Sequence, residues 1–342
     1  MLKARSTAVD IFSVDIIYVA EFAHQRWLQP LSESRWPRQE RAKYWQIPLQ
    51  ACTFEGQLWA VPLRSDVGLI YYRTDFISTP PTTWEELTST ALTIGTQKNS
   101  HPRYGYVWQG AQYEGLVCNF DEVLHGYGGS LFDPLHPTVV TIDSPEAKQA
   151  LTTMVNWIGT ISPPDTDTYT EEVTRTTWSS GNALFMRNWP YAYPDRALAH
   201  KFDVHPMLSG GNNHTGHSSL GGWQLAINAF IDPHKQDAAW EFIQYMLQPE
   251  AQKIGALTAS WAMSLQSIYE DQDVLSNVPL YKKFKSILQT AVTRPVTPNY
   301  TDISTAIVFH VRQALARKIS VPEALKALAS NLKYAASSNQ AI

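Results

Sequence analysis

The chain reads as an α/β protein of two domains. At 342 residues it is longer than one core of ordinary size requires. The run Val67-Gly68-Leu69-Ile70-Tyr71-Tyr72 has strand length and strand composition, and Ala183-Leu184-Phe185-Met186 is a second apolar run too short for a helix. Longer segments lie between such runs, with capped starts and apolar residues every three to four positions, as amphipathic helices require.

Composition narrows the function. The formal net charge is −4 and 17% of residues are charged, a mild balance that disfavours nucleic acid or an anionic membrane as the main partner. The 12 Trp and 16 Tyr suit flat amphipathic ligand faces as well as cores. Cys52 and Cys118 make no Cys-x-x-Cys spacing, so no zinc or thioredoxin-like site is expected. One disulfide and two separate buried thiols both remain open. No apolar stretch approaches the ~20 residues that cross a bilayer. The basic start Met1-Leu2-Lys3-Ala4-Arg5 is not followed by a signal-peptide core, because Asp10 and Asp15 interrupt it.

In chain order, residues 9–19 form a strand with acidic residues at its edges, and a helix follows from about Ala20. Asp15 stands among Val14, Ile16 and Ile17. A carboxylate there is at a strand end or costly to bury unpaired, which favours a hydrogen-bonding role in a site. Residues 54–61 are a hairpin turning at Glu55-Gly56. Asp66 stands at the mouth of the next strand, as a turn residue or a site residue. Ser78-Thr79-Pro80-Pro81 is a breaker placed near a domain crossing, and Thr83-Trp84-Glu85-Glu86 is a capping box. The helix that follows residues 112–115 presents Asp121, Glu122 and His125 as a solvated face. Residues 126–129 lack the Walker pattern and the dinucleotide fingerprint, so no phosphate role is assigned. Ser144-Pro145 opens an amphipathic helix with Ala147, Ala150, Leu151, Met154, Val155 and Ile158 on one face.

The run 183–186 ends in Arg187-Asn188-Trp189-Pro190-Tyr191. Pro190 cannot donate to a sheet ladder and holds Trp189 extended, so two large rings sit on a stiff turn at a strand end. Strand ends of α/β sheets are where ligands bind. The polar neighbours of Trp189 and Tyr191 also make a wholly buried loop awkward. In the tract 209–219, His214 and His217 lack a third ligand at a useful spacing, so neither metal nor cofactor is expected. Leu220-Gly221-Gly222-Trp223 is a glycine turn entering a strand, with Trp223 at its mouth. Asp232-Pro233 caps a helix, and 258–263 reads as a second domain crossing. Thr293-Arg294-Pro295 is extended. Helices over 301–319 and from Ser320 to about Ala336 close the chain.

The order of these motifs carries a resemblance. Val9-Asp10-Ile11 with Asp15 comes first, then Gly56-Gln57-Leu58-Trp59-Ala60-Val61-Pro62, then Asp66-Val67-Gly68-Leu69-Ile70-Tyr71-Tyr72-Arg73. Thr83-Trp84-Glu85-Glu86-Leu87, Gln112-Tyr113-Glu114-Gly115, Arg187-Asn188-Trp189-Pro190-Tyr191 and Leu220-Gly221-Gly222-Trp223 follow. Together they resemble the family 1 extracellular solute-binding proteins of sugar ABC transporters, most closely the trehalose/maltose-binding type. Thr53 stands where that family commonly has an aromatic residue. The resemblance implies a two-lobed periplasmic-binding-protein fold of type II. An N-terminal lobe would comprise 1–78 and 221–260, and a C-terminal lobe 79–220 and 261–342. A disaccharide would be held between them by Asp15, Asp66, Trp189, Tyr191, Gly222, Trp223 and Arg294, with Glu114 a further candidate. It also implies an ABC permease partner, a monomer, and a periplasmic or extracellular location as an anchored lipoprotein. Ahead of Val9 the family has a signal sequence and a first strand, helix and strand. On that expectation the N-terminal lobe is truncated and lacks one acidic ligand contact.

Two other functions fit parts of the pattern. A glycoside hydrolase would use Asp15 and Asp66 as paired carboxylates, although neither lies in a distinctive catalytic motif. A ligand-dead interaction protein would have kept the scaffold and lost its site with the missing segment.

Overall fold

The computed structural model describes residues 2–95, 102–193, 201–211 and 214–337. The chain divides into two units, Met1–Val67 with Leu220–Tyr300, and Gly68–Ser219 with Thr301–Ile342. These bounds differ from the expected crossings at 78/79 and 260/261, for two local reasons. The strand Leu69–Arg73 pairs with Ala183–Asn188 on one side and Phe202–His205 on the other, so residues 68–78 belong with that sheet. Residues 262–264 run beside the strand Val61–Arg64: Ser65 N donates to Ala262 O at 2.7 Å, and Ser264 Oγ donates to the carbonyls of Pro62 and Leu63. The breaker at 258–263 is therefore a turn inside the first unit, where Ser260 ends the helix Pro249–Ala259 in the left-handed region at φ 51°.

The first unit is built on a three-stranded antiparallel sheet with Trp223–Ile227 at its centre, flanked by Ile11–Asp15 and Val61–Arg64. Asp15 ends its strand as expected. Its carboxylate accepts from Ile17 N at 3.4 Å and starts a single helical turn that runs into Val19–His24. The predicted hairpin is present: Thr53–Phe54 pairs with Gln57–Leu58, and Glu55 and Gly56 both have positive φ (50° and 74°), as a tight two-residue turn requires. Asp232 caps the helix Pro233–Met246 by accepting from His234 N at 2.9 Å, and Ala239, Trp240 and Ile243 are its buried face. Phe284 packs edge to face against both Tyr269 and Tyr281, and these two rings are tilted against each other.

The second unit holds a mixed four-stranded sheet in the order Tyr104–Val107, Ala183–Asn188, Leu69–Arg73, Phe202–His205. The first pair is parallel and the others antiparallel. Both middle strands are buried along their whole length, which explains why they read as unbroken apolar runs. The helices Trp84–Gly95, Glu114–Gly126 and Pro145–Trp157 belong to this unit, with Trp84, Tyr106, Trp108 and Trp157 interlocked in its core. Ser144 caps the last of these by accepting from Ala147 N at 3.1 Å, a bond of about 1 kcal/mol. Ser320 and Glu323 form a capping box at the start of the helix Val321–Ser337.

One reading of this unit is corrected. Asp121 and Glu122 are not on a solvated face; they are 3% and 1% exposed. Glu122 is met by Arg187, itself wholly buried, through two bonds of 2.8 and 2.6 Å. The partner lies 65 residues away on another element, so helical charge patterning could not show it. The pair also fixes Gly68: a Cβ there would sit 1.9 Å from Glu122 Oε1. Cys52 and Cys118 are both buried and form no disulfide. They lie in different units.

Candidate functional site

Each unit carries one cluster of the residues singled out from sequence. In the first unit the sheet register does most of the assembly. Asp15 is paired with Trp223, and Trp223 with Arg64, so three side chains form a row at one end of the sheet. The register slips by one residue between Trp223 and Gln224, where Leu63 is the extra residue of a bulge in the Val61–Arg64 strand just before Arg64. Trp223 remains 38% exposed, unusual for a tryptophan at the centre of a sheet.

Gly221 and Gly222 make the approach to this row possible. Gly221 N donates to Asp66 O at 2.7 Å, and Gly222 O accepts from Ile16 N at 3.1 Å. Gly222 has φ 129°, and a Cβ on it would lie 2.3 Å from Arg64 O. Only glycine fits there. Asp66 is thereby held against the strand end, 7% exposed, with Oδ2 3.3 Å from Arg64 Nη1. Its Oδ1 is buried and has no hydrogen-bond partner, and neither has the Oγ of the adjacent buried Ser65. Burial pushes the Asp66 carboxyl up to about 6; the Arg64 charge opposes this and the Asp15 charge adds to it. Arg294 is buried, donates to Leu220 O at 3.2 Å and lies 3.9 Å from Asp15 Oδ1. Asp15, Asp66, Gly222, Trp223 and Arg294 thus fall in one neighbourhood.

In the second unit Trp189 and Tyr191 leave the end of the Ala183–Asn188 strand half-buried. The Trp189 ring lies against the Arg187 guanidinium, 3.9 Å from the ring centroid. That contact contributes roughly 0.5–2 kcal/mol and holds the ring flat. The indole N–H donates to Glu171 Oε1 at 3.2 Å, and the other oxygen of Glu171 accepts from the Tyr113 hydroxyl. Tyr191 donates to Glu172 at 2.7 Å, with the Arg175 guanidinium 5.7 Å from its ring centroid. Burial, then the Glu172 bond, keeps the Tyr191 phenol protonated well above its usual range. Burial works against the Arg187 charge, but the Glu122 carboxylate outweighs it and holds the guanidinium ionised. Glu114 starts the helix beside Tyr113 and accepts from Ser304 Oγ at 2.6 Å.

Sequence reasoning missed Arg64, Trp261, Tyr113, Glu171, Glu172 and Glu122. The Arg64 guanidinium lies 4.7 Å from the Trp261 ring centroid and 5.9 Å from that of Trp223. Adjacent carboxylates at 171 and 172, opening a helix shortly before a strand that ends in two aromatics, were the available signal for the second cluster. Neither Arg64 nor Trp261 carried one, because they meet through the pairing of residues 262–264 with the strand Val61–Arg64.

The chemistry of both clusters is the same: an indole set against a guanidinium, with a carboxylate beside it. Rings of this kind stack on the C–H faces of sugars, and carboxylates and arginines bind the hydroxyls around the edge. The fold is that of the two-lobed periplasmic sugar-binding proteins: the structure is similar to the maltose-bound T. maritima MalE3 with a TM-score of 0.89 and 34% identity, covering 97% of this chain and 86% of that one. Residues 2–253 match the family described as bacterial extracellular solute-binding protein, and the chain belongs to that family. A probable ABC transporter-binding protein of Deinococcus radiodurans is 35% identical over 97% of this chain and 81% of its own length. A maltotriose-binding protein of Pyrococcus abyssi is 23% identical over 84% of this chain, which spans 62% of that relative. The protein is a substrate-binding component of a sugar ABC transporter and not an enzyme. The hydrolase alternative is thereby set aside, and the partners are a sugar and a permease.

Proposed function

We propose that this protein delivers an α-linked disaccharide or related α-glucoside, of the trehalose, maltose, sucrose or glucosylglycerol class, to its permease. The observation that carries the reading is Asp66 Oδ1, a buried carboxylate oxygen without a partner, beside the half-open ring of Trp223. A buried acceptor left unsatisfied costs about 1–3 kcal/mol, and more for a charged one. A sugar hydroxyl offers the missing donor while its ring covers the indole. Trp189 and Tyr191 supply further stacking faces, Asp15 and Arg294 further hydroxyl partners, and Gly222 the close approach, with Glu114 a further candidate acceptor. The maltose carried by the 34% identical structure and the maltotriose in the name of the Pyrococcus relative support the α-glucoside class. The protein acts as a monomer on the extracellular side of the membrane, anchored there as a lipoprotein.

Intrinsic tryptophan fluorescence, titrated with trehalose, maltose, sucrose and glucosylglycerol, tests the proposal. A saturable change with at least one of them is expected, since Trp189 and Trp223 are both partly open. A folded protein that responds to none of the four would refute the α-glucoside reading. Light scattering with and without the bound sugar checks the monomer.

A further inference from the structure

We propose that Arg64 is the specificity-determining residue of the first unit's cluster, reading a pair of neighbouring hydroxyls on a neutral sugar together with Asp66, and that Trp261 positions it. The inference rests on the sugar-binding reading above and says which side chain selects among sugars.

Arg64 ends the strand Val61–Arg64 in register with Trp223. Its guanidinium is held by rings, with Trp261 at 4.7 Å and Trp223 at 5.9 Å from the carbon between its nitrogens. Only 17% of its side chain is exposed. Yet among the described residues its guanidinium makes no hydrogen bond. Three other enclosed arginines are occupied: Arg187 binds Glu122 and Gln109, Arg73 binds Asp75, and Arg41 binds the carbonyls of Trp36, Leu31 and Ser32. A guanidinium carries five donors in a fixed fork, and apart from the ion pair with Asp66 those of Arg64 are open to a ligand's acceptors.

The acceptor beside it is incomplete in the opposite sense. Asp66 Oδ2 faces Arg64 Nη1 at 3.3 Å, while Asp66 Oδ1 has nothing to accept from. A hydroxyl is both donor and acceptor. Two neighbouring sugar hydroxyls can accept from the Arg64 fork, and one of them can donate to Asp66 Oδ1, which satisfies both residues at once. The charges decide the ligand class. Arg64 and Arg294 are matched by Asp66 and Asp15, so the cluster has no surplus cation for a sugar carboxylate or phosphate, and a neutral sugar fits. Trp261 meets this cluster through its ring contact with Arg64 and acts through it.

Calorimetry on the full chain and its Arg64→Ala, Arg64→Lys and Trp261→Leu variants tests this, with the four sugars above and their monodeoxy derivatives, from pH 5 to pH 8. Arg64→Ala is expected to lose tenfold or more for the hydroxylated sugar and to level the preference between it and the derivative lacking the read hydroxyl. Arg64→Lys keeps the charge without the fork and should also lose the preference. Trp261→Leu should reproduce a weaker form of the same change in ranking. The pH at which affinity falls should also move. Arg64 holds the Asp66 carboxyl down against burial, so its removal should push the midpoint above about 6. The other titratable groups whose charge reaches Asp66 are Asp15, Tyr269 and Tyr281. All three remain in every variant. An Arg64→Ala protein with unchanged sugar ranking and unchanged pH midpoint overturns the inference while leaving sugar binding intact. A wild-type protein that binds none of the sugars overturns both.

Discussion

Replacing Asp66 with Asn should make the ligand-free protein more stable and the sugar complex weaker. In the fold the carboxyl is raised to about 6, against ~3.9 in an unfolded chain. At ~1.4 kcal/mol per pH unit, holding it ionised at neutral pH costs the empty protein about 3 kcal/mol. The sign follows from the raised value: the group's stabilising share is complete below ~3.9 and is lost as pH rises through about 6. An asparagine has no such slope, but its amide is still buried and still lacks a partner on one side, so about 1–2 kcal/mol of gain is expected at pH 7.5. For a chain of this size that is a few degrees in Tm. At pH 4.5 the gain should shrink toward zero. Sugar affinity should fall by roughly 1–3 kcal/mol, because a charged acceptor has become a neutral one. Differential scanning calorimetry of the unliganded proteins at the two pH values, with titration calorimetry at pH 7.5, measures all three. An Asn variant that melts lower than wild type at pH 7.5, by more than at pH 4.5, would show that Arg64 and Arg294 stabilise the carboxylate outright. Its burial would then need no ligand to explain it.

Three further outcomes are expected. Glu122→Gln leaves the Arg187 charge buried without its partner and should destabilise the second unit by about 3–5 kcal/mol in urea melts; a loss under 1 kcal/mol would mean that the pair is dispensable. Trp189→Ala should cost at least tenfold in affinity for every sugar that binds, with an unchanged circular dichroism spectrum; unaltered dissociation constants would remove the stacking role. Burial would depress His125, but the Asp121 carboxylate outweighs it and raises the imidazole to about 9. The stability this supplies is complete below ~6.5 and is lost as pH passes about 9. Wild type should therefore lose Tm between pH 7 and 9.5 and His125→Asn should not, and a flat wild-type profile would refute the pairing.

What could be read in the sequence was local, and what could not was made by partners far along the chain. Ser144-Pro145, Asp232-Pro233 and Glu55-Gly56 are signals contained within four residues, and each appears where it was expected because capping and tight turns need nothing further away. The strand-end positions of Asp15, Trp189 and Trp223 were legible for the same reason. Glu122 was not: on its helix it looks like any surface carboxylate, and only Arg187, delivered by the central strand, reverses that. The unit boundaries failed similarly. Pro80-Pro81 is a strong breaker, but the chain has already entered the second unit at Gly68, because Leu69–Arg73 finds its pairing partners there. Breakers show where an element ends, and pairing decides which sheet it joins.

The two clusters share a guanidinium set against an indole but differ in what the guanidinium still has to give. Arg187 is committed to Glu122 and Gln109 and is wholly buried, so it fixes the plane of Trp189 and offers a ligand nothing else. Arg64 is held by rings and by one ion pair with Asp66 at 3.3 Å, so it keeps most of its donors for a ligand. A flat ring recognises any sugar with an apolar face, because stacking is insensitive to which hydroxyl is axial. A fork of donors beside an unsatisfied carboxylate is sensitive to it. Losses at Trp189 should therefore scale all sugars alike, and losses at Arg64 and Asp66 should reorder them. The division of labour follows from the two carboxylates: Glu122 takes two donors of Arg187 and makes it a support, whereas Asp66 faces Arg64 through one oxygen at 3.3 Å and leaves the rest of its fork able to choose.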